Sequence, residues 1–131
     1  MCFILNINIF KMKTILVTGG CGFIGSHFVE HILKNTDWEI VIVDKLTYAS
    51  LGFDRLRENN SLNNPRVKII TWDLCCEISE SLMKEIGEIN YIVHMAAETH
   101  VDNSISGPVS FIKNNVMSTV QLLEYSRSRT G

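Results

Sequence analysis

The sequence predicts an α/β fold built on a doubly wound parallel sheet, and three observations predict it. Short apolar runs rich in β-branched residues alternate with segments of helical period along the chain. Glycines at 19, 20, 22 and 25 lie between the first such run and the first helical segment. No repeat, low-complexity segment or linker interrupts the alternation. Strands joined in series through helices pair in parallel, with right-handed crossovers.

Each element has its own warrant. Residues 14–17 (TILV) are a continuous apolar run, the pattern of a strand covered on both faces. Phe23, Ile24, Phe28, Val29, Ile32 and Leu33 recur at helical spacing through Lys34. Residues 39–43 (EIVIV) form the second buried strand. The polar stretch 50–64 carries a short helix and a loop, and Pro65 marks its end. Residues 67–72 (VKIITW) are the third strand. Ile78, Leu82, Met83 and Ile86 define an amphipathic helix closed near Gly87. Residues 91–95 (YIVHM) are the fourth strand. Residues 108–127 read as a long helix with Phe111, Ile112, Val116, Val120, Leu122 and Leu123 on its apolar faces. About four β-α units predict an incomplete sheet of order 3-2-1-4. The ligand crevice is expected between strands 1 and 4, where the order reverses.

Composition narrows the function classes. The 131 residues suit one domain, and 46% hydrophobic with 20% charged residues is a globular balance rather than a disordered one. A net charge of −2, with no Lys/Arg run, predicts no nucleic-acid or membrane-surface partner. Residues 1–10 (MCFILNINIF) are apolar but interrupted by Asn6 and Asn8, and a membrane span needs about 20 residues. They also lack the basic region and cleavage site of a signal peptide. Residues 1–12 are therefore read as a tail outside the fold, with Met12 the natural start, and 13–131 as the domain. Cys2, Cys21, Cys75 and Cys76 form no C-x-x-C pair, and the adjacent Cys75 and Cys76 suit each other poorly as disulfide partners. With no secretory signal, reduced thiols and a cytoplasmic location follow. The sequon at Asn59 then carries no glycan.

The glycine loop is the first functional feature. Gly20, Gly22 and Gly25 fit G-x-G-x-x-G, while Gly19, Gly22 and Gly25 fit G-x-x-G-x-x-G. Either spacing permits a tight turn, close approach of a diphosphate to the backbone, and tight helix–strand contact. The helix that follows offers free N–H groups and a partial positive charge to phosphates. A strand before and a helix after supply the context that makes the motif informative. Asp44 ends the second strand, where a carboxylate accepts hydrogen bonds from adenosine ribose hydroxyls. A 2′-phosphate there meets like charge, so the expected cofactor is NAD rather than NADP. The competing reading is a bare turn with an N-terminal Asp cap. Together these features predict a Rossmann-like domain.

Other polar groups carry two readings each. His27 and His31 match H-x-x-E-H and share one helix face, but solvent-facing histidines explain them without a metal, and no metal site is expected. Asp73 either meets an adenine edge or serves its own turn. Ala96 and Ala97 are small enough for a nicotinamide to pass close to the backbone. Thr99 could reach a substrate hydroxyl. Glu98, His100 and Asp102 suggest acid–base or metal chemistry, against a local structural role. Asn114 and Asn115 stand in a helix that Asn disfavours, so they either hold a hydrogen-bonding task or are solvated.

Taken together, these residues resemble the extended short-chain dehydrogenase/reductase (NAD-dependent epimerase/dehydratase) family of nucleotide-sugar enzymes, over about residues 13–127. TGGCGFIGS at 18–26 resembles its phosphate loop. DKLTYA at 44–49 and HMAAETHVDNSISGP at 94–108, followed by Phe111, Ile112, Asn114 and Asn115, resemble the dTDP-glucose 4,6-dehydratases in particular. The resemblance implies NAD as cofactor and a nucleotide sugar such as dTDP-glucose as substrate. The implied reaction is oxidation at C4, loss of water across C5–C6 and hydride return to C6, a lyase reaction. By position it places Gly19, Gly22, Phe23, Ile24 and Gly25 at the diphosphate, and Asp44, Lys45, Leu46 and Thr47 at the adenosine ribose. Asp73 and Leu74 fall at adenine. Met95, Ala96, Ala97, Glu98 and Thr99 fall along the path to the nicotinamide, with Thr99 also at the sugar and Asn114 at the cofactor. Thr99 stands where the family commonly has Ser, and Asn114 where Thr is common. Family members often dimerise through helices such as the last one here, so a homodimer is an expected assembly.

The family's oxidising step uses a Tyr-x-x-x-Lys pair, and its dehydration uses a Thr-Asp-Glu stretch. Four residues beyond Tyr48, Tyr91 and Tyr125 stand Gly52, Met95 and Arg129, and none is Lys. No catalytic residue is therefore assigned. The chain is expected to be an N-terminal portion, stopping before the second half-sheet and the sugar-nucleotide domain, with the outer edge of strand 4 unpaired. The alternatives are another nucleotide-sugar epimerase or decarboxylase, and a non-catalytic dinucleotide-binding module.

Overall fold

The computed structural model describes residues 12–47 and 51–129. The tail 1–11, and Tyr48 and Ala49 of the dehydratase-like stretch, lie outside the described residues. The elements run β1 (Thr14–Thr18), α1 (Phe23–Asn35), β2 (Glu39–Asp44), α2 (Asp54–Glu58), β3 (Val67–Thr71), α3 (Glu80–Ile86), β4 (Tyr91–His94), α4 (Val101–Ser106) and α5 (Pro108–Arg129). All strand pairs are parallel and the order is β3-β2-β1-β4, as the sequence predicts.

Two cores explain why β1 and β2 read as continuous apolar runs. Successive strand side chains point to opposite faces. Leu16, Val41 and Val43 pack on one face with Ile70, with Leu82 and Ile86 of α3, and with Leu122 and Tyr125 of α5. Ile15, Val17, Ile40 and Ile42 pack on the other with Val29 and Ile32 of α1 and Leu56 of α2. Burying each large side chain contributes about 1.5–3 kcal/mol, so the central pair of strands anchors the fold. Arg66 ties the N-terminal edge together by donating to Leu33 O and Thr36 O at the end of α1, both at 2.7 Å.

Three details differ from the sequence reading. Helix α3 starts after Ser79, whose hydroxyl accepts from Leu82 N at 3.2 Å, so Ile78 is buried ahead of the helix rather than within it. Helix α4 was not anticipated, because Val, Asp, Asn and Ser are all weak helix formers. The long helix buries only Ser118, Leu122 and Tyr125, while Ile112, Val116, Val120 and Leu123 of its expected apolar faces are exposed.

Candidate functional site

The site forms at the C-terminal ends of the strands, around the gap between β1 and β4. The glycine loop bounds one side. Gly19 has φ +70, in the left-handed region that glycine tolerates, and a Cβ there would lie 2.7 Å from Ala96 N. A Cβ on Gly25 would lie 2.0 Å from Gly19 O, so the start of α1 presses on the turn itself. Gly20 is packed against Ile42, whereas Gly22 is crowded only by Gly19 O and lines the crevice. Of the glycines in the two overlapping spacings, Gly19 and Gly22 line the crevice, Gly25 serves the contact of α1 with the turn, and Gly20 serves the packing on β2. No side chain caps α1, which leaves the first-turn N–H groups of Phe23, Ile24 and Gly25 without a side-chain partner. Phe23 and Ile24 are exposed at that helix start, and neither lines the crevice.

Asp44 forms the second corner. It is buried, and its carboxylate accepts from Cys21 N at 3.0 Å and from Leu46 N at 2.8 Å. It thus joins the glycine loop to the turn after β2, where Leu46 adopts a left-handed φ of 56. Lys45 and Thr47 line the crevice beside Asp44; Leu46 does not. Asp73 accepts from Cys75 N at 2.9 Å, so it does serve its own turn, and together with Leu74 it also lines the crevice.

The third wall is the segment after β4. Met95, Ala96, Ala97 and Glu98 line the crevice, while Thr99 is exposed and outside it. The solvated reading of the asparagine pair is overturned. Asn115 clamps Glu98, accepting from its N–H at 2.7 Å and donating to its carbonyl at 2.9 Å. Asn114 donates to Glu98 Oε1 at 2.7 Å and lies 3.3 Å from Cys75 Sγ. Thr18, at the end of β1, is fully buried, and its Oγ1 accepts from Met95 N and Ala96 N at 3.1 and 3.2 Å.

Thr18, Trp72, Cys75 and Ser118 line or support the crevice and received no role from the sequence, while Asn115 performs the hydrogen-bonding task that was one of its two readings. Asn115 carried a signal, because Asn is unfavourable inside a helix. Ser118 lies three residues further along the same helix, so that spacing would have found it. Trp72 and Cys75 flank the turn of Asp73. Cys21, Cys75 and Cys76 are free thiols, and burial, with Asp44 alongside, pushes the Cys21 thiol up to about 12. His27 stacks edge-on against Phe23 and lies 3.9 Å from Glu30, while His31 bonds Asn35, so the H-x-x-E-H residues are tied to helix-surface neighbours. His100 and Asp102 stand exposed at the start of α4. Among the described residues no group of three His, Cys, Asp or Glu could hold a metal ion. No described helix is long and apolar enough to cross a membrane. Tyr91 stacks on Trp38 at the opposite end of the sheet, and Tyr125 is buried in the core.

A larger hollow, about 1050 Å³, opens at the N-terminal ends of the strands. Its arginines already cap backbone carbonyls: Arg66 those of α1, and Arg129 that of Gly87 at 2.6 Å. The switch-point crevice is the one that the glycine loop and convergent polar side chains line, beside the uncapped start of α1.

Sheet order, glycine loop and crevice define the class: a Rossmann-like α/β domain with a crevice at the switch point. Comparison with known proteins narrows it further. The family model described as GDP-mannose 4,6 dehydratase matches residues 16–130, and the chain belongs to that family. The chain is 45% identical over 113 residues to a dTDP-glucose 4,6-dehydratase of Escherichia coli, covering 86% of this chain and 30% of that protein. Among solved structures it resembles a Bacillus anthracis dTDP-glucose 4,6-dehydratase in complex with NAD (TM-score 0.72, 31% identity, 89% of this chain and 34% of that one). It also resembles a Bacillus cereus UDP-glucuronic acid 4-epimerase bound to UDP-glucuronic acid and NAD (TM-score 0.70, 34% identity, 86% and 35%). The chain thus spans about a third of the length of these relatives.

Proposed function

We propose that this chain is the NAD-binding portion of a nucleotide-sugar 4,6-dehydratase acting on dTDP-glucose or a close analogue. The observation that carries the reading is the single crevice joining Gly22 beside the uncapped start of α1, Asp44 at the end of β2, and the wall 95–98. These residues fit a dinucleotide. Gly22 leaves room for a diphosphate, the first-turn N–H groups of α1 suit its charge, and Asp44 retains lone pairs for ribose hydroxyls. Lys45, Leu46 and Thr47 complete the ribose side, Asp73 and Leu74 the adenine side, and Met95 to Thr99 with Asn114 the nicotinamide side. Thr99 is the proposed sugar contact. When bound, NAD accepts and returns a hydride. The enclosed part of the crevice is about 110 Å³, so most of the cofactor would lie along its open face.

Residues 13–131 form the cofactor domain in this reading, and residues 1–12 a tail outside it. None of the described tyrosines lines the crevice, and residues 13–131 offer no Tyr-x-x-x-Lys pair. The chain alone is therefore proposed to bind cofactor without turning over substrate. Incubation with NAD and dTDP-glucose should give no 4-keto sugar, and measurable product would overturn this. A cytoplasmic location and a homodimer are part of the proposal. The homodimer is supported by an exposed apolar stripe along α4 and α5 that includes Ile105, Val109, Ile112, Val116 and Leu123. An epimerase is the second reading, favoured by the 34% identity to the UDP-glucuronic acid 4-epimerase.

A further inference from the structure

His94 ends β4 beneath the crevice wall, and its hydrogen bonds determine which ring nitrogen carries the proton. A threonine hydroxyl has one proton to donate and two lone pairs to accept with. The lone pairs of Thr18 Oγ1 are taken by Met95 N–H and Ala96 N–H, neither of which can accept. The remaining hydroxyl proton points to the third neighbour, His94 Nδ1, at 2.6 Å. Nδ1 is then an acceptor, and the neutral ring carries its proton on Nε2. That N–H faces Ser118 Oγ at 3.4 Å. Ser118 in turn donates to Asn115 O at 3.2 Å, and the Asn115 side chain holds Glu98 at both backbone groups. A directed chain of bonds therefore runs from residues 95 and 96 through β1, His94 and α5, and returns to residue 98.

We propose that His94, as the neutral Nε2–H tautomer, is a positioning residue that holds the crevice wall 95–98 through Thr18, so that protonating it loosens the wall. In the charged ring Nδ1 also carries a hydrogen, and Thr18 loses the acceptor of its hydroxyl proton. The new Nδ1–H competes with Met95 N–H and Ala96 N–H for the two lone pairs of Oγ1; Met95 N–H keeps a second acceptor in Thr18 O at 3.1 Å, whereas Ala96 N–H has Oγ1 alone to lose. The neighbouring groups leave the ring neutral. Thr18 of β1 and Asn115 and Ser118 of α5 do not titrate, and the Glu98 carboxylate on the wall itself is turned to Asn114. Partial burial lowers the His94 pKa below its ordinary 6.5, with no charged neighbour as a cause.

The link from wall to cofactor affinity rests on the NAD reading above; the link from His94 to the wall does not. The test therefore has two arms on the full chain. First, ¹⁵N NMR of the imidazole and amide exchange at Ala96 are followed from pH 8 to pH 5 without ligand. The expected result is an Nε2–H ring at pH 8, and Ala96 protection that falls about fivefold or more as the ring protonates, the change that losing one ordinary hydrogen bond carries. His94→Asn, whose Oδ1 can replace Nδ1 as acceptor, should keep the protection and abolish that change. His94→Gln, whose amide reaches the Nε2 position instead, should lower it at every pH. An Nδ1–H or charged ring at pH 8 overturns the proposal. So does Ala96 protection indifferent to both pH and His94→Gln. Second, NAD affinity should follow the same profile. If the first arm holds and NAD binds at no pH, the cofactor reading fails and the role of His94 stands.

Discussion

Replacing Thr18 by Val tests how the crevice wall is held. Valine matches threonine in shape and in preference for a strand, but it has no hydroxyl. The hydroxyl makes three bonds, two accepted from Met95 N and Ala96 N and one to His94 Nδ1. Met95 N–H keeps Thr18 O as an acceptor. Ala96 N–H is left unpaired against the glycine loop, at a cost of about 1–3 kcal/mol. Loss of the bond to His94 adds about 0.5–1.5 kcal/mol, and the added methyl returns about 0.8 kcal/mol. The net destabilisation is about 1–3.5 kcal/mol. At roughly 3–6 °C per kcal/mol for a chain of this size, Tm should fall by about 3–20 °C. Thr18→Ser keeps the hydroxyl and removes one buried methyl, for about 1 kcal/mol. Thermal melts followed by circular dichroism, with urea titrations to compare m values, separate the two variants. Thr18→Val more stable than Thr18→Ser would refute the reasoning, because packing rather than the hydroxyl would then hold the wall.

Further predictions follow from the same geometry. Gly25→Ala puts a Cβ 2.0 Å from Gly19 O, so it should cost about 1–3 kcal/mol or more in a urea titration and weaken NAD binding; an unchanged midpoint would show that the helix start has room. Asp44→Ala removes a buried carboxylate that accepts from two backbone N–H groups, and should destabilise by about 1.5–3 kcal/mol while narrowing the preference for NAD over NADP in a calorimetric titration. Cys76 is exposed, whereas Cys21 is buried with its thiol pushed up to about 12, so iodoacetamide at pH 8 should label Cys76 and spare Cys21 by peptide mapping. His94 titrates lower in the folded chain than its ordinary 6.5. The unfolded chain therefore binds more protons in that window, and this contribution to stability is present above pH 6.5 and lost as pH falls below it. Melts between pH 7 and pH 5 should show that loss in the parent chain and less of it in His94→Asn.

The sheet was legible because both faces of β1 and β2 are covered, which makes residues 14–17 and 39–43 continuous apolar runs that only a doubly wound sheet explains. The glycine spacing and Asp44 located the crevice for the same local reason. The sequence could not choose between the two overlapping glycine spacings, since the choice depends on Ile42 packing against Gly20 from another strand. Helix α4 was hidden by residues of low helix propensity. On α5, an apolar stripe and a core face look alike in sequence, and only packing shows that Leu122 and Tyr125 are buried while Val116 and Leu123 face out. Thr18 and His94 are ordinary strand-end residues until residues 76 positions apart are brought together.

The most direct test of the account is calorimetric titration of the 131-residue chain with NAD, with NADP as control. Binding of NAD at one site per chain, with NADP weaker by about tenfold or more from the like charge at Asp44, is the predicted result. A folded chain that binds neither nucleotide, or binds NADP as tightly as NAD, would contradict it.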